Sequence, residues 1–173
     1  MTRPEEQIQR APPVDYILGI DPGLSGAMAF LACADYGMVT AEDAPVAGDA
    51  INAALMADRI MQLRPTVCVI ELVGAMPGQG VSSMFKFGRA FGTAIGIVAA
   101  LDIPIHYVTP AKWKAHFRLP KDKDAARQRA INFWPASADR FTRKKDAGRA
   151  EAALIARYGL ETLPQFQTMR VSA

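Results

Sequence analysis

The chain has 173 residues, half of them hydrophobic and 21% charged, which excludes a disordered or collagen-like polymer and supplies enough apolar side chain for one real core. The apolar run Thr93 to Leu101 stops at Asp102, short of the ~18 residues of a membrane span, and the polar, Pro-bearing start reads as neither secretory signal nor anchor. Net charge +3 hides an asymmetry: through Pro104, 6 Lys and Arg face 11 Asp and Glu, whereas from Ile105 onward 14 face 6, a basic half that suits a polyanion or merely solvated helices.

Residues 1–14 read as a loose arm. Tyr16 to Ile20 is a short apolar strand ending at Asp21-Pro22-Gly23, Gly26 to Ala34 is a second, and Asp35-Tyr36-Gly37 connects into a third, Met38 to Glu42. Ile51, Leu55, Ile60 and Leu63 fall near helical spacing and predict a helix over Asp49 to Leu63. Thr66 to Leu72 is β-branched and almost wholly apolar, the pattern of a central strand covered on both faces. A glycine-rich loop, Gly74 to Gly80, precedes a long helix over Ser82 to Leu101 and a strand over Pro104 to Val108. Thr109-Pro110 starts another helix. Helices follow over Asp122 to Phe133 and Ala147 to Tyr158, the latter stopped by Gly159, with a tail from 160 to 173. This order asks for a single α/β domain in which a mixed sheet carries packed helices. Cys33 and Cys68 lie in strand-like runs and read as buried thiols, which fits a reducing, cytoplasmic setting.

Two acids end hydrophobic strands, Asp21 after Ile17 to Ile20 and Glu71 after Val67 to Ile70. A carboxylate at a buried strand end costs several kcal/mol in desolvation unless a positive group compensates it. A divalent cation relieves both acids, and hard oxygen donors select Mg²⁺ or Mn²⁺. His106 and His116 are not at metal-ligand spacing, so zinc is disfavoured. The plain alternative is that each acid caps a helix or pairs with an arginine. Asp146 and Glu151 flank the start of the last helix, and four converging carboxylates would supply two ions for in-line attack of water on a phosphodiester.

ILGIDPGLSGAMAF, VIELVGAMP, SSMFKFGRAFGTAIGIVAAL, TPAKWK, DKD and DAGRAEAALIA, in that order between Ile17 and Ala156, resemble successive blocks of RuvC-type Holliday junction resolvases of phage or bacterial type. The resemblance implies an RNase H-like fold, with about five strands of which the first three are antiparallel. It implies a homodimer that nicks four-way DNA junctions in recombination and repair, with two Mg²⁺ ions per site. Matched motif by motif, the metal ligands are Asp21, Glu71 and Glu151, and the basic catalytic residues are Lys114 and Lys123. Two departures stand out. The family's D-x-x-D pair would need an acid three residues before Glu151, where Gly148 stands, so Asp146 must reach in from a loop to be the fourth ligand. The family's aromatic three residues after the strand-end Glu is Gly74 here, which leaves Met76, Phe85, Phe87 or no residue at all to wedge a junction base.

Lys86, Arg89, Lys112, Lys114, Lys121, Lys123, Lys144 and Lys145 are the expected DNA contacts. Gly88, Gly92, Gly96 and Ala100 recur every four residues in the long helix, a bare stripe suited to close packing on its own sheet or to a two-fold contact. Trp113 and Trp134 read as core anchors. Three other functions compete: a same-fold nuclease for forks, flaps or structured RNA, an ATP-binding phosphotransferase, for which one domain is too small, and a non-catalytic DNA-binding module.

Overall fold

In the computed structural model, which describes residues 15–74, 78, 80–120, 122 and 124–167, a five-stranded sheet runs in the order β3-β2-β1-β6-β7. Its strands are β1 (Tyr16–Asp21), β2 (Ala27–Ala32), β3 (Val39–Asp43), β6 (Val67–Glu71) and β7 (Ile105–Val108). The first three are antiparallel, and β1, β6 and β7 are mutually parallel, so the sheet is mixed. A two-stranded hairpin, β4 (Val46–Ala47) and β5 (Ala50–Ile51), stands apart. The helices are α1 (Ala53–Leu63), α2 (Val81–Ala100), α3 (Pro110–His116), α4 (Ala125–Phe133), α5 (Ala147–Thr162) and α6 (Pro164–Gln167).

Strand alternation splits the core into two layers. Leu18, Ile20, Phe30, Cys68 and Ile70 face Met56 and Ile60 of α1 and Ala94 and Val98 of α2. Ile17, Val67 and Val69 face α5, whose Ala152, Ala153 and Ala156 are fully buried beside Trp113 and Trp134. Small side chains on α5 bring the helix close to the sheet. Gly19 allows closer approach still: a Cβ there would stand 2.1 Å from the Ala152 carbonyl oxygen.

Two sequence expectations are corrected. Asn52 caps α1 by accepting from the Leu55 N–H at 3.2 Å, so the helix begins at Ala53 and Asp49 lies between β4 and β5. Gly159 does not stop α5, which continues to Thr162. That glycine instead serves close packing, because a Cβ there would meet the Val69 side chain at 2.5 Å. The start of the expected tail is therefore helical, and Leu160 and Phe166 are buried. The expected arm over 1–14 lies outside the described residues. Cys33 and Cys68 are free and buried. Among the described residues no helix is long and apolar enough to cross a membrane.

Candidate active site

The alternation that builds the core also aims two acids. Val67 and Val69 face α5, and two residues on Glu71 does so too; Asp21 follows Ile17 and Gly19 in the same way. Parallel pairing of Ile20 with Ile70 sets the two acids side by side at the ends of β1 and β6. Glu151 comes to them from the second turn of α5.

Each acid has its own environment. Glu71 is buried, and its Oε1 accepts from Trp113 Nε1 at 2.7 Å. Glu151 Oε1 lies 2.9 Å from Lys114 Nζ, which also stands 5.0 Å from the centre of the Trp113 ring. Burial, then the charges of Glu151 and Glu71, push the Asp21 carboxyl up to about 8, against the pull of Lys114. Burial also raises Glu71, opposed by the Trp113 hydrogen bond and Lys114 and reinforced by Glu151. Three acids thus share one ammonium group.

The donor set is entirely carboxylate, which suits a hard divalent ion, and Lys114 already sits where positive charge lowers both strand-end acids. Among the described residues no group of three His, Cys, Asp or Glu side chains is arranged to hold one ion; Trp113 holds Glu71 and Lys114 holds Glu151.

Asp146 meets a different fate from the one expected. It does lie outside α5, in a short 3₁₀ turn (Lys144–Asp146), but its buried carboxylate turns to Arg143. It accepts from the Arg143 backbone N–H at 2.9 Å and from the guanidinium at 2.8 and 3.1 Å, with Arg149 3.8 Å away. Hydrogen bonds from Arg143, set against burial, hold it below the usual carboxylate range. Nor can position 148 supply the acid. A Cβ on Gly148 would lie 2.9 Å from the Ser25 carbonyl oxygen and 3.3 Å from Asp21 Oδ2, so backbone fills the space where a side chain would enter.

A cleft of about 360 Å³ opens beside this cluster, with Lys114 and Glu151 in its wall. A larger groove of about 480 Å³, lined by Ile60, Arg64, Thr66 and Leu101, lies at the opposite end of β6 from Glu71.

No family model matches the sequence, and no curated protein matches it significantly. Solved structures do match. Thermus thermophilus RuvC in complex with a Holliday junction substrate superposes with a TM-score of 0.63 at 14% identity, over 86% of this chain and 96% of that one. A second Thermus thermophilus RuvC structure gives 0.60 at 16%, over 84% and 95%. The yeast mitochondrial Holliday junction resolvase gives 0.52 at 16%, over 95% and 87%. The fold is that of the RuvC-type resolvases.

Within this RuvC-type fold the expected basic residues separate. Lys114 is in the cluster, and Lys112, Lys144 and Lys145 are exposed. Lys86 and Arg89 pair with Asp49, at 3.9 and 3.0 Å. Lys121, Lys123 and Met76 lie outside the described residues. Phe87 lies near the β1–β2 turn at Gly23 and stacks on Phe91, while Phe85 is 70% exposed. Gly88, Gly92 and Gly96 lie opposite the buried Ala90, Ala94 and Val98, and a Cβ on any of the three would meet nothing within 4 Å. Packing on the chain's own sheet is therefore not what the stripe serves. Trp113 is the site residue that sequence reasoning missed. Its position next to Lys114 in TPAKWK was the available signal, but its bond to Glu71 joins residues 42 apart.

Proposed function

We propose that the protein is a divalent-metal-dependent endonuclease that nicks branched DNA, four-way junctions above all, and works as a homodimer. The observation that carries this reading is the convergence of Asp21, Glu71 and Glu151 at the strand ends of a RuvC-type sheet. Exposed Lys112, Lys144 and Lys145 stand on the elements that frame it. Asp21, Glu71 and Glu151 are the residues that would hold Mg²⁺, with Mn²⁺ as its substitute. When bound, the ion supplies a lowered water pKa and neutralises phosphate charge. The expectation of two ions rested on four carboxylates, and three converge here.

The chain's own residues divide the remaining work. Trp113 fixes the orientation of Glu71 through its indole N–H. Lys114 neutralises Glu151 in the free protein and is placed to meet a phosphate or a leaving oxygen entering the cluster. Lys123, from the D-K segment, is assigned the same kind of contact by sequence. Phe85 and Phe87 are the aromatic side chains available to a junction base.

For assembly, the exposed face of α2 provides the two-fold contact. Val81, Phe85, Gly88, Gly92 and Gly96 fall within about 80° of one another around the helix, and the first two are 85% and 70% exposed. Helical glycines cost ~1 kcal/mol each and have no internal packing reason here, whereas a second copy can bury large side chains on bare backbone. A two-fold enzyme also matches a substrate with four arms.

The test is cleavage of labelled four-way junction, fork, flap, linear duplex and structured RNA with Mg²⁺ or Mn²⁺. Paired nicks near the crossover, lost in Asp21→Asn with junction binding retained, are expected. Cutting of forks or RNA in preference to junctions would move the substrate, and no cutting of any branched molecule would overturn the reading.

A further inference from the structure

We propose that the cleft beside Glu151 and Lys114 is a subsite for one unstacked nucleotide of the cut strand, adjoining the scissile phosphate. The inference rests on the nuclease reading and deepens it, because it states what form of DNA the site accepts. At about 360 Å³ the cleft is near the lower end of the about 300–1,000 Å³ of small-ligand pockets, so it holds a nucleoside-sized group and no duplex.

Its walls are polarised. Lys114 and Glu151 belong to the acid cluster, so the cleft is continuous with the chemistry. Leu119, Ala125, Ala126 and Ala147 make an apolar surface suited to the flat face of a base. Asp122 also lines the cleft, and its Oδ1 accepts from the Asp124 backbone N–H at 3.0 Å, which fixes the carboxylate there. A phosphate is attracted by Lys114, so the backbone lies toward Lys114 and the base enters among the alanines. Unstacking a paired base costs a few kcal/mol, and least where it is already unpaired. A nuclease that must seat a base in this cleft before cutting therefore favours strands at branch points over continuous duplex, with no base contact along the arms.

The test uses Ala125→Trp, which fills the cleft from its α4 wall and replaces none of the cluster acids. Circular dichroism should match wild type, which shows that the fold is kept. In EDTA, a junction carrying 2-aminopurine at the nucleotide next to the cut should brighten on binding wild type and stay dim with Ala125→Trp. With Mg²⁺, single-turnover cleavage by the variant should fall at least tenfold, and an abasic nucleotide at the same place should restore it to within a few-fold. Wild-type cutting of the normal junction by Ala125→Trp, or no rescue by the abasic substrate, overturns the subsite while leaving the nuclease reading intact. Failure of wild type itself to cut any branched DNA is the separate result that overturns that reading.

Discussion

A buried carboxylate persists only with donors in place, and the acids near this site differ in what their donors permit. Glu71 has a neutral indole N–H, which orients it without neutralising it. Trp113→Phe keeps an aromatic ring, smaller than the indole, and deletes that donor. Single-turnover cleavage should fall about 10- to 100-fold with a higher Mg²⁺ half-saturation, and stability should drop by about 1.5–3 kcal/mol. A wild-type rate at every Mg²⁺ concentration would mean that Glu71 needs no positioning. Asp146 is instead neutralised by Arg143, which makes it a positioning residue for the start of α5. Asp146→Asn should lower the melting temperature, by about 1–3 kcal/mol in stability, and leave the Mg²⁺ half-saturation at the wild-type value. Glu151→Gln should abolish cleavage with the fold intact. A shifted Mg²⁺ half-saturation in Asp146→Asn would return that residue to the ligand set.

Helix α5 is the element that assembles the site, since it docks on β1 and β2 and delivers Glu151 to the strand-end acids. Two glycines control the docking at different tightness. At Gly19 an added Cβ overlaps backbone, 2.1 Å from the Ala152 oxygen and 2.6 Å from the Ala156 nitrogen. Neither atom can retreat without moving the helix, so Gly19→Ala should cost more than about 3 kcal/mol or prevent folding. At Gly148 the contacts are 2.9 Å to the Ser25 oxygen and 3.3 Å to Asp21 Oδ2, and alanine gains about 1 kcal/mol of helix propensity. Gly148→Ala must push back the Ser25 carbonyl, so it should cost more stability than its helix propensity returns, and it should cut about tenfold more slowly or worse because Asp21 is crowded as well. Denaturant melts and single-turnover rates on the same preparations check both substitutions, and wild-type cutting by Gly148→Ala would separate the helix start from the chemistry.

The whole molecule carries opposed titrations. Asp21 rises from 3.8 to about 8, so between those values the folded protein holds a proton that the unfolded chain has released. That contribution is full below about pH 4 and is lost as pH rises through about 8; Glu71 shifts in the same direction. Asp146 and Glu161 run the other way. Burial raises Glu161, but hydrogen bonds from His116 and Arg157 outweigh it, and Arg143 lowers Asp146. Their stabilisation is in place above the ordinary values of 4.5 and 3.8 and is lost as pH falls through the lowered ones. Metal-free protein should thus melt highest in mild acid, and Mg²⁺ should raise the melting temperature more at pH 8 than at pH 5, because protons compete for the same carboxylates. A metal-free melting temperature that climbs from pH 5 to 8 would contradict the acid cluster. Assembly has its own test at Gly92. One copy has open space there, so Gly92→Leu should fold normally and sediment as a monomer. A folded dimer would place the two-fold elsewhere.

What the sequence determined by itself was whatever depends on neighbouring residues. Apolar strands ending in Asp21 and Glu71, the long helix with its bare stripe, and the order of elements in a mixed sheet were all legible, because period and strand-end polarity are local patterns. The family resemblance pointed to Lys114 and Glu151, and they meet at 2.9 Å. Tertiary structure decided what hangs on partners far along the chain. Trp113 reads as plain core until β6 brings Glu71 to its indole N–H. Gly159 reads as a helix stop until Val69 is seen to occupy the place of its Cβ. The sequence offers Asp146 as a metal ligand reaching in from the loop or as a helix cap; the turn of backbone that aims the carboxylate gives it to Arg143, three residues away. A side chain's chemistry is written in its type, but which of its possible partners it meets is a property of the packed chain.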